Sequence, residues 1–343
     1  MDRPWARQVD RFCHQYLQLE HVLDYPDGEY LKLAEVQDAI HSKLFAAEAP
    51  PESDPPAAYK AKTLKALVSK IEAGIDDWDQ HGVSDDLMSS LTDLLSTARP
   101  PEAETVQQKR RVTYHLSALR GPEDAAEDAR ITLLENRSLI SAGGTTGLRT
   151  WEAALHLGQY LCRNPEVAAG RRVLELGAGT GYLSILCARH LRARHAIASD
   201  GSDDVVHSLA DNFFLNGLQG SDRAAAMDVK WGHALVGAEE DRWNGGRALD
   251  VVLGADITYD AGLISALIGT LADLFALYPR LEVLIAATQR NHQTFRVFLD
   301  RCQGSGLDVI DVPFPVPPRE AQDGPFYESR VAIRICRISK PSR

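Results

Sequence analysis

The chain is poor in cysteine, and the positions of its cysteines exclude two classes of small domain. Only five are spread over 343 residues, at positions 13, 162, 187, 302 and 336. Because the count is odd and none lies at metal-ligand spacing from another, neither a disulfide framework nor a zinc site is predicted. The eleven histidines are scattered without an H-E-x-x-H pattern, so we expect no metal. Reduced thiols are typical of intracellular proteins, and we expect a cytoplasmic location.

Long apolar runs and an excess of basic charge are also lacking. The longest weakly charged stretch, 263–278, is too short to span a bilayer and contains Asp273. Residues 1–11 carry charges where a signal peptide needs an apolar centre. The net charge of −11 argues against a general nucleic-acid surface, which requires a basic field. We therefore expect neither a membrane nor a nucleic acid as a direct partner.

What is present is a globular composition, with 44% hydrophobic and 25% charged residues. Apolar residues recur at helical spacing within 12–19, 64–71 and 87–95, and prolines separate these segments. We predict a helical N-terminal domain over 1–105, which serves either as a scaffold or in recognition of a protein partner. Residues 106–150 form a β-rich junction, with a strand at 111–116 and a hairpin that joins 131–134 to 138–141.

From residue 151 onward, the pattern predicts alternating helices and strands. A helix at 151–161 precedes strands at 172–176, 195–199, 226–231, 250–255 and 281–287, and helices such as 181–192 and 202–216 lie between them. This order is typical of a mostly parallel, doubly wound sheet. The last strands, 307–312 and 327–338, are joined by a proline-rich loop and predict an antiparallel terminal hairpin. We assign 151–343 to one α/β domain.

The most informative segment is a glycine turn after the first strand of that domain. Gly177, Gly179 and Gly181 follow Glu175 in the pattern E-x-G-x-G-x-G. A dinucleotide site has its third glycine one residue later, where this chain has Tyr182. The pattern resembles motif I of the methyltransferases that use S-adenosylmethionine (SAM). The alternative is that these glycines form an ordinary turn of an α/β protein.

Two carboxylates near this turn are candidate ligand-binding groups. Asp200 ends the next strand, at the distance along the chain where an acidic side chain reaches ribose hydroxyls, although it could instead cap the following helix. Glu175 would be costly to bury without a partner. A carboxylate here suits the cationic amino-acid end and sulfonium of SAM, and it is unfavourable for a pyrophosphate. Asp200 alone does not decide the cofactor, because NAD proteins share its geometry, but Glu175 and the glycine spacing favour SAM over NAD.

Two tryptophans are weaker candidates. Trp231 is expected to end the third strand, where an aromatic ring could pack on adenine or simply belong to the core. Trp151 begins the 151–161 helix and is either a lid over the methionine end of the cofactor or a core residue. Neighbouring Arg149 is given no function from the sequence.

The segment that follows the fourth strand is expected to face the methyl acceptor. It contains Ala255, Asp256 and Tyr259 in the pattern D-x-x-Y. Adenine and amide methylases usually have N-P-P-Y here, whereas a carboxylate suits the ammonium of a lysine. The alternative for Asp256 is that it caps the next helix.

Together these motifs resemble methyltransferase family 16, the seven-strand protein-lysine methyltransferases. Further stretches are similar to its eukaryotic elongation factor 2 branch, which also has a helical N-terminal extension. They include 133–136, 144–147, 150–154, 212–217 and 288–291 with Thr294 and Phe298. The resemblance covers about 131–338 and implies a Rossmann-like, seven-stranded sheet. It implies cofactor binding by Trp151, Glu175, Gly177, Gly179, Gly181, Asp200, Trp231 and Ala255, and catalytic roles for Asp256 and Tyr259.

The resemblance implies that a lysine of elongation factor 2 receives a methyl group from SAM and that S-adenosylhomocysteine is released. We expect the enzyme to act as a monomer. The alternatives are a lysine methyltransferase with another protein substrate, a small-molecule methyltransferase, a dehydrogenase that binds NAD(P), and a catalytically silent SAM-fold module.

Overall fold

A computed structural model describes residues 3–46, 55–96, 108–120, 129–136, 146–233, 235, 244 and 247–341. The chain forms two compact units. The first contains 1–117, 132–138 and 323–326, and the second contains 118–131, 139–322 and 327–343. The chain therefore passes between the units several times.

The first unit is mainly helical, as the sequence predicts. Its helices are α1 (Ala6–Leu17), α2 (Gly28–Leu31), α3 (Ala34–Leu44), α4 (Ala57–Gly74) and α5 (Asp85–Ser96). Their apolar faces form one core, in which Phe12, Tyr16, Leu64, Leu67 and Ile71 are completely buried. These are the residues whose three- and four-residue spacing predicts the helices.

A two-stranded sheet and a segment from the C-terminal region complete this unit. Strand β1 (Arg110–His115) pairs with β2 (Arg130–Glu135). The predicted hairpin partner of β2, 138–141, lies outside the described residues. Gln18 accepts a hydrogen bond from the Phe326 N–H at 2.9 Å and donates to the carbonyl of the same residue. The first unit thus includes residues from both ends of the chain.

The second unit is built on a sheet that has seven strands in the described residues. They are β3 (Arg172–Leu176), β4 (His195–Asp200), β5 (Ala224–Asp228), β6 (Val251–Ala255), β7 (Glu282–Thr288), β8 (Asp308–Val312) and β9 (Ile333–Ser339). The order is β5-β4-β3-β6-β7-β9-β8, and β9 alone runs opposite to the other six strands. The helices are α6 (Glu152–Arg163), α7 (Tyr182–Ile185), α8 (Asp203–Leu215), α9 (Ala261–Leu277) and α10 (His292–Gly304).

Strand β3 lies at the point where the strand order reverses. It pairs with β4 on one side and β6 on the other, both in parallel. A crevice opens at the carboxyl ends of the strands at such a point, and ligands bind there in doubly wound proteins. The predicted fold class is confirmed, including the antiparallel terminal hairpin of β8 and β9.

Three predicted elements have different bounds in the structure. Strand β5 ends at Asp228, because a turn closed by the His233 N–H and the Lys230 carbonyl follows it. Strand β9 begins at Ile333, because Tyr327 is held instead by hydrogen bonds to Gln322 and His156. The 181–192 helix is a short α-helix, α7, followed by a π-helix at Leu186–His190.

Short 3₁₀ turns occur at Ser117–Leu119, Pro165–Val167 and Arg319–Ala321. None of the helices in the described part of the chain is both long and apolar enough to cross a membrane.

Candidate active site

A cavity of about 440 Å³ opens at the carboxyl ends of β3, β4, β5 and β6, within the second unit. The structure brings all ten sequence-predicted site residues to it except Gly181, which lies at the start of α7. The cavity is lined by three acidic side chains, Glu175, Asp200 and Asp256, and by two strongly basic ones, Arg149 and Lys230. Its chemistry therefore depends on how these charges are held.

The glycine turn brings two stretches of backbone close together. Gly179 has φ +53°, and a Cβ added there would lie 3.3 Å from the Cα of Gly147. Gly177 has φ +64°, and a Cβ there would lie 2.7 Å from a methyl carbon of Ile257. Side chains are excluded at both positions by conformation and by space. The floor of the cavity is consequently bare backbone.

Glu175 is buried, with 3% of its surface exposed, and caps helix α7. Its Oε2 accepts a hydrogen bond from the Ser184 N–H at 2.8 Å. Burial raises the pKa of the carboxyl to about 7, the Ser184 and Leu183 N–H groups oppose this, and nearby Asp200 raises it further. Because Glu175 occupies the N-terminus of α7, that helix end is not free to bind an anion.

Asp200 holds two backbone groups at the end of β4. Its Oδ2 accepts from the Gly179 N–H and its Oδ1 from the Ser202 N–H, both at 3.1 Å. Burial raises its pKa, and these hydrogen bonds oppose the shift. The capping alternative is met in part, because Ser202 is the N-cap residue of α8. Each carboxylate oxygen keeps acceptor capacity towards the cavity.

Asp256 follows β6 and is held by β7. Its Oδ1 accepts from the Thr288 N–H at 2.8 Å, and its Oδ2 accepts from the Thr288 hydroxyl at 2.9 Å. Arg290 lies 3.5 Å from Oδ2. Burial raises the pKa of Asp256, and Thr288 and Arg290 oppose this. The residue has φ +52°, a conformation that aspartate tolerates better than most side chains.

The capping alternative for Asp256 is wrong. Helix α9 is capped by Asp260, whose Oδ1 accepts from the Gly262 N–H at 2.8 Å. The Asp256 carboxylate faces β7 instead, and its side chain is 9% exposed.

Trp151 lies within a network of charged side chains. Its indole N–H donates to the Thr146 carbonyl at 3.0 Å. The guanidinium carbons of Arg149 and Arg290 lie 4.5 and 5.2 Å from the ring centroid. Both arginines also pair with Glu152, Arg149 at 3.6 Å and Arg290 in closer contact. The indole is therefore fixed by two cation–π contacts beside the cavity.

The remaining aromatic candidates form the wall and the mouth. Trp231 is half-buried, lies three residues beyond the end of β5 rather than at its end, and packs beside Gly177. Tyr259 is 56% exposed and lies within 3.4 Å of the Thr146 hydroxyl. Ala255 ends β6 and lines the cavity next to Asp256.

Sequence reasoning gave no role to several residues that shape this site. Thr180 is held by the Thr150 hydroxyl at 2.7 Å and by the Asn212 amide at 2.9 Å. Arg149 and Thr288 contact the cavity residues from other elements. Asn212 and Thr288 fall in family-like stretches, which is the only sequence signal for them. Arg149 had none, because its contacts depend on the folded geometry.

The strand order and the cavity define a class of protein. An antiparallel final strand on a parallel, doubly wound sheet is characteristic of Rossmann-like methyltransferases. A cavity lined by one buried and two partly buried carboxylates is suited to a ligand with cationic groups.

Comparison with known proteins agrees with this class. A family model described as lysine methyltransferase matches residues 134–304. The protein-lysine N-methyltransferase EFM3 of Chaetomium thermophilum is 55% identical over 97% of this chain and 98% of its own. EFM3 of Saccharomyces cerevisiae is 31% identical over 81% and 83%. The human protein-lysine N-methyltransferase EEF2KMT is 31% identical over 69% and 71%.

The chain belongs to the lysine methyltransferase family and is a protein-lysine N-methyltransferase. The predicted family and enzyme class are confirmed.

Proposed function

We propose that SAM is the methyl donor bound in the cavity and that a lysine of elongation factor 2 is the acceptor. The observation that carries the choice of donor is the set of three carboxylates that line the cavity, of which Glu175 is buried and Asp200 and Asp256 are partly buried. SAM has an ammonium group and a sulfonium, and both favour ionised carboxylates over neutral ones.

Each part of the donor has a complementary group. Asp200 would accept from the ribose hydroxyls, because both its oxygens keep acceptor capacity beside the Gly179 backbone. Glu175 would attract the amino-acid ammonium. Trp231 would pack against the adenine, and Gly177 and Gly179 would let the nucleoside lie against the backbone.

The same charges disfavour a dinucleotide. A pyrophosphate is bound at helix N-termini, where free N–H groups point at it. Here the Ser184 N–H is already taken by Glu175, and a second anion would be repelled by that carboxylate. This argues against the dehydrogenase alternative.

The transfer itself would be an in-line displacement. The lysine nitrogen attacks the methyl carbon, the carbon–sulfur bond breaks, and its electron pair remains on sulfur as S-adenosylhomocysteine is released. The attacking amine must first lose a proton, which burial and the nearby sulfonium favour. Asp256 would bind and orient the incoming ammonium, and Tyr259 would shape the mouth. The protein mainly aligns the reactants and excludes water.

Elongation factor 2 is proposed from the family-like stretches of the sequence. The human relative EEF2KMT, whose symbol is consistent with this substrate, supports it. The acidic acceptor side of the cavity suits a lysine in any protein, so the substrate must be tested separately from the chemistry.

The test uses purified enzyme, methyl-labelled SAM, elongation factor 2 and a panel of other translation factors. Label is expected on a lysine of elongation factor 2. Asp256→Asn should lower turnover at least about 100-fold while SAM affinity changes little, because orientation of the amine is lost. Asp200→Asn should mainly weaken SAM binding, measured by calorimetry.

Each negative result would overturn a different part of the proposal. Label only on other factors would overturn the substrate and leave the donor intact. Absence of SAM binding to the wild-type protein would overturn the donor. Normal turnover of Asp256→Asn would remove its proposed role.

A further inference from the structure

The cavity contains a basic side chain that the proposed reaction has not used. Arg149 lies between Gly147 and Thr150, which contact the glycine turn at Gly179 and Thr180. Its guanidinium is therefore beside the turn, at the Trp151 side of the cavity. Its side chain is 24% exposed.

Arg149 has unused hydrogen-bonding capacity. Its Nε is buried and makes no hydrogen bond within the described part of the chain. Its contact with Glu152 is 3.6 Å, longer than a hydrogen bond. The buried Nε cannot be reached from the cavity, so the donors available to a ligand are the terminal N–H groups of this partly exposed guanidinium.

The other strongly basic side chains near the cavity each pair with two carboxylates, whereas Arg149 pairs with one. Lys230 is balanced by Asp203 and Asp228, at 3.5 and 3.4 Å. Arg290 is paired with Glu152 and Asp256. The N-terminus of α7 is capped by Glu175.

The carboxylate at the amino-acid end of SAM needs a positively charged partner in this cavity. The cavity is lined by Glu175, Asp200 and Asp256, each of which repels it. An arginine binds a carboxylate with two parallel hydrogen bonds and a full positive charge. Arg149 is the strongly basic side chain in this cavity with a single carboxylate partner, and its terminal N–H groups can donate to a ligand.

We propose that Arg149 binds the α-carboxylate of the methyl donor and so makes the site selective for nucleosides that carry an intact amino acid. This inference rests on the proposed use of SAM. The cation–π contact with Trp151 holds the guanidinium in place.

The test compares two ligands that differ by one charge. S-adenosylhomocysteine and its analogue with the carboxylate converted to a primary amide are titrated into the full-length protein by calorimetry. The wild-type protein should bind the acid about 10- to 100-fold more tightly than the amide, the range expected for a charged hydrogen-bonded pair.

Three variants separate the role from general packing. Arg149→Met keeps the aliphatic stem beside Trp151 and should bind acid and amide with nearly equal affinity. Arg149→Lys should keep part of the preference. Lys230→Met removes another cation of the cavity and should keep the full preference.

An equal loss of affinity for both ligands in Arg149→Met would assign a purely structural role to Arg149 and overturn the proposal. An unchanged preference in Arg149→Met would also overturn it. If the wild-type protein bound neither S-adenosylhomocysteine nor SAM, the proposed donor itself would be wrong, which is a distinguishable result.

Discussion

The ionisation of the Asp256 carboxyl is controlled by its neighbours. Burial raises the pKa of its carboxyl, while two hydrogen bonds from Thr288 and the charge of Arg290 stabilise the ionised form. Without these partners the carboxyl would hold its proton to higher pH. The anion to which we assign the orientation of the lysine thus depends on residues of another strand and the loop after it.

Thr288→Val is therefore expected to raise the pKa of Asp256, because it removes the hydroxyl donor at 2.9 Å. The sign follows from the proposed role: turnover would need the ionised form of Asp256, so the acid limb of the pH–rate profile should move to higher pH. Methyl transfer at saturating SAM is the measurement. Thr288→Ser keeps a hydroxyl and should retain the wild-type profile. Coinciding profiles for the valine and serine variants would contradict this account.

At the residue level, the sequence predicts the side chains placed by local motifs. The glycines and Asp200 lie at fixed distances after β3, and Asp256 directly follows β6, so strand-end geometry brings them together. Arg149 and Arg290 could not be predicted in the same way. They meet at Trp151 and Glu152 from positions far apart in the chain, and no periodic pattern encodes a cation–π contact.

Helix α7 is capped by a carboxyl group whose ionised form is disfavoured by burial. Its capping residue, Glu175, comes from the preceding strand and has a pKa raised to about 7 from the usual 4.5. A carboxyl whose folded pKa exceeds its unfolded one contributes most to stability below the unfolded value. That contribution is lost as pH rises towards 7. At pH 8 the ligand-free protein should therefore lack the stability that protonated Glu175 contributes at low pH.

Glu175→Gln should remove this loss and keep the cap, because the amide oxygen can still accept from Ser184. The melting temperature of the variant relative to wild type should rise between pH 5 and pH 8, by an amount equivalent to at most about 3 kcal/mol. Differential scanning calorimetry of the ligand-free proteins measures it. Asp203→Asn, at a side chain 70% exposed, is the control and should track the wild-type protein. A pH-independent difference for Glu175→Gln would show that the carboxyl is not strained by burial.

The strands of the sheet were predictable where both faces are buried. Strands β3, β4 and β6 are almost wholly buried, and their bounds agree with the sequence prediction to within one residue. Two other boundaries were wrong. Residues 229–231 continue the apolar and aromatic pattern of β5, but the chain turns at Gly232. Tyr327 has strand-like neighbours, but its hydroxyl is hydrogen-bonded to His156. In both cases tertiary contacts override local pattern.

On the scale of the whole molecule, the first unit depends on a contact between distant parts of the chain. The Gln18 side chain pairs with both backbone groups of Phe326 in a buried environment. Asp323 forms ion pairs with Arg7 and Arg11. The helical pattern of the N-terminal third predicts its helices, but nothing in that pattern indicates that residues 323–326 belong with them.

Gln18→Ala should leave two buried backbone groups without these partners and destabilise the first unit by about 2 kcal/mol. Amide hydrogen exchange in α1 measures this directly, and protection there should fall by roughly 30-fold. Gln8→Ala is the matched control, since Gln8 makes a similar pair of hydrogen bonds to Asp27 at an exposed position. Equal protection in both variants would show that the contact with Phe326 adds nothing to the unit.

The assignment of residues 323–326 to the N-terminal unit also sets an order of events during protein synthesis. A chain is made from its N-terminus, and domains usually fold as they emerge. Here the helices of the first hundred residues are made early, yet the backbone groups to which Gln18 binds lie 308 residues further along the chain. The N-terminal unit therefore stays incomplete until nearly the whole seven-stranded sheet of the second unit has left the ribosome. Any chain released early, whether by a premature stop or by stalling, would therefore carry an unfinished unit at its N-terminus for cellular quality control to recognise.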